Sequence, residues 1–376
     1  MTAGKSIDSL PSISIKSLLI ILIMLPGSGV KAQVLEDAEA LALVKETVDN
    51  IYNMRFAEAT ELCDKIDRKY PDHPVVYLLK GMVIYWKYFP LLTRSPQTSE
   101  FEELMNTCID KCENFEPENE AEFLLVNLCA RGSLLGFYAG AGQHSKAFSF
   151  GGPTYRYLRR SFRFTGSYPD FYFFTGLYNY YREAYPEAHP LYKPVFSLFP
   201  SGDMEKGLEE LRSAFKGSIF LKAESSTFLS SIYKFFENDY ESSSYFSRTI
   251  FNDYPTNIVY LLNYAEDKLL TGKYDDAESL LKSPAAKTEN TYFKAQMTVM
   301  QGILNEKKYN DIEMAEKQFL AGIEQLKDYS IYGKQYMAFA YFGLSRISAS
   351  RNDKQNERIY RRRANDNTDF PDVNFE

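Results

Sequence analysis

The chain has 376 residues, 45% of them apolar and 25% charged, with a formal charge of −7 and a pI near 5.3. Its 28 Phe and 29 Tyr exclude a predominantly disordered chain, and a single continuous apolar run excludes a multi-pass membrane protein. The acidic balance excludes general nucleic-acid binding, which needs surplus Lys and Arg against phosphates, and three His leave little material for a His-based metal centre.

Residues 1–32 read as a secretory signal. Lys5 and Lys16 precede the apolar run Leu18 to Leu25, which Pro26 and Gly27 break. Val30-Lys31-Ala32 then offers short side chains at the positions a signal peptidase reads. Cleavage is expected after Ala32. Loss of three lysines and Asp8 would leave a mature chain of charge −9 that starts at Gln33. The run is too short for a stable span, and no Cys follows it for lipid attachment. The mature chain is therefore expected to be exported to the periplasm, with a secreted or envelope-associated place as the alternative, and to have no membrane span.

From residue 33 onward apolar residues recur at helical spacing. Ala40, Leu41, Val44, Val48 and Ile51 form one stripe, and Phe228, Leu229, Ile232, Tyr233 and Phe236 another. Gly, Pro or Asn/Asp clusters separate the segments, so the expected architecture is a string of antiparallel helix pairs. Cys63, Cys108, Cys112 and Cys129 are too few for a disulfide framework. They are expected to be buried free thiols that pack as small apolar groups.

A period organises these helices. An aromatic or Met followed three residues later by a small residue recurs at Phe56/Ala59, Met204/Gly207, Tyr240/Ser243 and Tyr274/Ala277, and Tyr309 is expected to open a further helix. The steps from 204 to 240, 274 and 309 are 36, 34 and 35 residues. The small residue allows two helices to approach closely. A second marker, Tyr70-Pro71-Asp72, Tyr168-Pro169-Asp170, Tyr254-Pro255-Thr256 and Phe370-Pro371-Asp372, is expected to stop one helix at Pro and start the next with Asp or Thr. Asn310 to Met314 reads as a short insertion.

Helix pairs of this period, with a small residue in the second helix and a closing Pro, resemble the tetratricopeptide repeat. The stretch Ala223 to Ala285 and an N-terminal copy at Glu46 to Pro74 carry the resemblance most clearly. The Trp and Leu-Gly of the usual first helix are absent. In the middle, an aromatic helix from Asp170 to Tyr181 leads into a Pro-rich stretch and then Ser201-Gly202-Asp203 before Met204. That order is similar to exported bacterial tetratricopeptide-repeat proteins, and distantly to the eukaryotic tetratricopeptide-39 and mitochondrial Iml2 group. The resemblance implies an all-α, right-handed superhelical solenoid and an interaction role. It divides the mature chain into N-terminal repeats over 33–184, a Pro/aromatic insertion over 185–202 and C-terminal repeats over 203–376, closed by a capping helix from Asp353 to Arg363.

Catalytic templates fail in turn. There is no His-Glu-x-x-His and no Gly-x-Ser-x-Gly. Gly140 to Lys146 lacks the second Gly and the hydroxyl of a phosphate loop, so Gly136 to Gly152 is expected to be a flexible turn. His73 and His189 each precede Pro and read as turn residues. No catalytic residue, metal ligand or cofactor is therefore expected. Asp170, Glu183 and Glu187 are the acids set among aromatics, with capping or surface roles favoured for each.

Two constellations stand out. Arg156, Arg159, Arg160 and Arg163 fall at i, i+3, i+4 and i+7, a stripe able to grip a carboxylate or phosphate bidentately. The competing reading pairs it internally with Glu118 to Glu122. Within the aromatic run, Phe171 and Phe174 are expected in the core and Tyr178, Tyr181 and Tyr185 on a binding face; the competing reading makes the whole cluster a core helix with Tyr hydroxyls at its edges. The leading functional expectation is a scaffold that holds a protein or peptide partner on the concave face around residues 156–200. A glycan-binding or glycan-processing protein that uses the Tyr cluster and Glu183, and a structural spacer in an envelope complex, are the alternatives.

Overall fold

The computed structural model describes residues 33–113 and 117–375; residues 1–32, read above as an expected signal, lie outside the described residues. The architecture is all-α, many short helices packed mainly on their chain neighbours, consistent with a stacked-helix, solenoid-like arrangement. In chain order the helices are α1 (Ala38–Tyr52), α2 (Phe56–Lys69), α3 (Pro74–Lys87), α4 (Thr98–Lys111), α5 (Glu120–Gly140), α6 (His144–Ser161), α7 (Phe171–Ala188), the single turn α8 (Lys193–Phe196), α9 (Met204–Gly217), α10 (Lys222–Phe235), α11 (Tyr240–Asp253), α12 (Ile258–Leu270), α13 (Tyr274–Lys282), α14 (Thr291–Leu304), α15 (Ile312–Leu326), α16 (Ile331–Ser350) and α17 (Lys354–Asn365).

Local chemistry starts most of these helices. Asp37, Asp203, Asp239, Asp311 and Asp353 each accept a backbone N–H from the first turn of the helix they precede, as do Asn257 and Asn290. Ala40, Val44, Val48 and Ile51 are buried along one face of α1. Phe56, Met204, Tyr240 and Tyr274 open α2, α9, α11 and α13, as the spacing predicts. Their small partners Ala59, Gly207, Ser243 and Ala277 are buried. At the α7–α9 crossing a Cβ on Gly207 would lie 2.7 Å from the Tyr180 backbone N and 2.9 Å from the Gly176 carbonyl, so no larger residue fits.

Three sequence expectations need correction. Tyr309 does not open a helix: it ends a π-helical segment, Asn305–Tyr309, and α15 starts at Ile312 with Ala315 as its buried small residue. The extra turn shifts the period, and Asn310 takes a left-handed φ of 53° to restart the chain. Nor do Asp72 and Thr256, after two of the closing prolines, start helices. His73 accepts from Val75 N–H and Asn257 from Val259 N–H, each one position later than expected. Finally, Gly136 to Gly152 is mostly helix, and only Ala141–Gln143 turns, with Gly142 at φ 74°. Gly136 belongs to α5 and Gly151 and Gly152 to α6.

The row of helices closes on itself. Asn257 Nδ2 donates to the Tyr52 carbonyl at 2.9 Å, and Thr256 Oγ1 to the Asn53 carbonyl at 2.7 Å. Trp86 of α3 meets Tyr260 of α12 edge-on at 5.7 Å. Phe89 stacks on Phe293 of α14 at 6.1 Å, and its carbonyl accepts from Asn290 Nδ2 at 2.7 Å. Helices α1 and α3 thus pack against α10, α12 and α14. Pro117–Gly140 is the one described helical stretch long and apolar enough to cross a membrane. Most of it is buried against neighbouring helices, the environment of a core helix. All four cysteines are free and buried. The tail after α17 returns to the body: Phe370 packs on Phe235 and Phe236, and Val373 and Phe375 are buried.

Candidate functional site

An apolar cavity of about 510 Å³, partly open to solvent where Gly132, Gly136 and Phe228 are exposed, lies between α3, α5, α6, α7 and α10. Its shape follows from side-chain size. Helix α5 turns Cys129, Gly132, Ser133 and Gly136 toward it, spaced i, i+3, i+4 and i+7 as one helical face. A Cβ on Gly136 would meet nothing within 4 Å. Opposite, α7 presents Phe173, Phe174, Leu177, Tyr178 and Tyr181, and α3 presents Tyr85 and Trp86.

One carboxyl group enters this apolar space. Glu224, in the first turn of α10, keeps part of its surface open onto the cavity yet lies deep within the protein. Its Oε2 accepts the Tyr52 hydroxyl at 2.5 Å. Oε1 has no hydrogen-bond partner among the described residues. Burial pushes the Glu224 carboxyl up to about 7, against the downward pull of the Tyr52 hydroxyl.

The sequence-predicted residues divide between two faces. Tyr178 and Tyr181 are half-buried and line the cavity. Phe171 and Phe174 are buried, as expected of core residues. The arginines point away from the cavity, on the outer side of α6. Arg160 pairs with Glu120 at 2.7 Å and Arg163 pairs with the same carboxylate, whose pKa these guanidinium groups lower. Arg156 and Arg159 are exposed and have no ion-pair partner among the described residues. Together with Tyr155, the four arginines line a shallow cleft of about 370 Å³. Tyr155 links the two faces, with its ring 5.9 Å from Tyr178 and 4.8 Å from Phe199. Tyr185 belongs to neither. It packs against His189, Tyr192 and Phe196, because α7 continues through Pro186 to Ala188 before the insertion leaves the helix.

The three acids singled out by sequence have distinct environments. Asp170 is fully buried and accepts the N–H groups of Ile219, Phe220 and Leu221 at 2.7, 2.8 and 3.2 Å. It therefore fastens the turn before α10 and does not cap its own helix. Burial raises its carboxyl to about 6 in spite of those bonds. Glu183 Oε1 accepts Gly202 N–H at 2.7 Å and lies 3.4 Å from Arg182 Nη1. Arg182 also donates to the Phe199 carbonyl, so this pair pins the insertion to α7. Glu187 is exposed.

His73 is more than a turn residue. Its Nε2 lies 3.1 Å from Glu122 Oε1 in the core, and the same oxygen accepts Val34 N–H at 3.1 Å. Sequence reasoning missed this pair, and it missed Glu224 and the small face of α5. The spacing of Cys129, Gly132, Ser133 and Gly136 was the available signal for the last. No protein-family model matches the chain, and no curated protein matches it at a significant level.

Proposed function

We propose that the protein is an exported, non-catalytic scaffold of tetratricopeptide type, a right-handed superhelix that holds a protein or peptide partner. The observation that carries this reading is the outer surface from α6 to the insertion. Exposed apolar side chains gather there: Phe148, Leu191 and Leu198 are 82, 93 and 81% exposed, and Phe162, Tyr192 and Val195 are exposed beside them. Apolar side chains grouped on a surface mark interaction sites. Phe148, Tyr155 and Phe162 recur every seven residues on one stripe of α6, with Arg156 and Arg159 between them. A partner segment that alternates carboxylates with apolar side chains fits this surface, since an exposed guanidinium without an internal partner can take a carboxylate bidentately.

A glycan-processing reading needs a carboxylate free to move a proton, whereas Glu183 is engaged with Gly202 and Arg182. The partner reading is tested by crosslinking in the native envelope, with wild type compared against Arg156→Glu/Arg159→Glu. A specific crosslinked protein should be lost in that variant and retained in Arg361→Glu/Arg362→Glu, which changes charge equally on α17. Equal capture by all three, with helical melting unchanged, would remove this surface from the proposal. Arg160 and Arg163 are unsuitable for the test because their substitution also breaks the pairing with Glu120.

A further inference from the structure

We propose that this partly open apolar cavity is a binding site for a small apolar molecule carrying one amine, with its ammonium on Glu224 and its body between α5 and α7. This goes beyond the scaffold reading and does not depend on it.

The space is created by the sequence rather than left over by packing. A helix face packed only for stability carries side chains that remove apolar surface from water. Helix α5 instead turns Gly132, Ser133 and Gly136 to the same side, and nothing approaches within 4 Å of where a Gly136 Cβ would stand. The resulting volume of about 510 Å³ falls within the range of small-molecule sites.

The polarity of the walls selects the ligand. Among the described lining residues Glu224 is the sole carboxylate, and none is Lys, Arg or His. The groups that surround it electrostatically are the Tyr52 hydroxyl, which occupies Oε2, and Asp170. Neither supplies a positive charge. A carboxylate in an apolar enclosure without a cation is costly, and a ligand ammonium removes that cost. An anionic ligand would add a second negative charge. A sugar would bury many hydroxyls against a wall of Leu, Phe and Met side chains. The faces of Trp86, Tyr85 and Tyr181 also favour a cation.

Trp86 lines the cavity and is the only Trp in the chain, so intrinsic fluorescence reports occupancy directly. The probes are phenylbutylamine, phenylbutanol and phenylbutyrate, titrated into the full mature chain at about pH 8, where the Glu224 carboxyl is ionised. The amine should produce a saturable change and bind at least about tenfold tighter than the alcohol, with the carboxylate weakest. Glu224→Gln should bring the amine to the alcohol's affinity, and Gly136→Leu should weaken both. Arg156→Glu/Arg159→Glu should leave amine binding unchanged, which separates this site from the outer surface. Three results would overturn the proposal: no response to the amine up to about 1 mM, binding of the carboxylate as tight as the amine, or an amine preference that survives Glu224→Gln. The first two need only wild-type protein, so the test stands even if a variant does not fold.

Discussion

A buried carboxylate that accepts three backbone N–H groups holds its segment more firmly than an ordinary cap, and Asp170 is such a group. Asp170→Ala leaves three donors unsatisfied away from water. It should cost about 3 kcal/mol or more, read as a lower denaturant midpoint with the slope unchanged. Glu224 and Asp170 also set a pH dependence. Their carboxyls rise from ordinary values of 4.5 and 3.8 to about 7 and about 6 in the folded protein. The folded state then holds protons that the unfolded chain has released, so stability is greatest in mild acid and falls as pH rises toward 7. The hydroxyl of Tyr52 and the carboxylate of Asp170 face Glu224, with no cation to reverse the sign. Denaturation midpoints should be higher at about pH 5.5 than at about pH 8, and Glu224→Gln should reduce that difference by stabilising the protein at the higher pH.

Between helices, the C-terminal part of the stack relies on polar as well as apolar contact. Asp267 of α12 accepts from Ser243 at 3.0 Å, from Ser247 at 2.5 Å and from Ser230 at 3.3 Å, and pairs with Lys234 at 2.8 Å. Lys234 also reaches Glu266 at 2.7 Å, and burial does not neutralise it because these two carboxylates hold its pKa up. Asp267→Ala removes one charge from a buried set and should cost about 3–5 kcal/mol, visible as a fall in melting temperature. Ser243 reads from sequence only as a small residue of the period, because one chain does not tell a small side chain needed for space from one needed for its hydroxyl. Helix starts at Met204 and Tyr240 were legible because Asp203 and Asp239 cap them locally, and those at Phe56 and Tyr274 from the small-residue spacing. The π-helical segment before Asn310 was not, since nothing in Asn305–Tyr309 departs from ordinary helix-forming composition. Gly136 misled for a related reason: Gly signals a turn locally, whereas here it makes room for something other than its own backbone. Of the expected site residues, Tyr178 and Tyr181 line the cavity and Tyr185 does not. The outward direction of the arginines depends on how α6 rolls against α5, which no local pattern encodes.

For the whole molecule, closure of the row decides how it unfolds. An open repeat array stabilises each unit through its neighbours alone and can unravel from its ends. Here Tyr52, Trp86 and Phe89 bind the N-terminal helices to Tyr260, Asn290 and Phe293. Unfolding should therefore be a single transition in which far-ultraviolet circular dichroism and Trp86 fluorescence coincide. Phe89→Ala should separate the two signals, because the seam weakens while each repeat keeps its immediate neighbours. Closure also gives two of the four thiols a use as a clock. Cys63, Cys108, Cys112 and Cys129 all belong to the region from α2 to α5 and are buried, and burial pushes the Cys63 thiol up to about 12 and raises those of Cys112 and Cys129. Cys63 and Cys112 have neither access nor thiolate while the N-terminal half stays shut. Where alkylation outpaces reclosing, the rate at which a reagent consumes those two thiols under native conditions is thus the rate at which that half comes away from the rest.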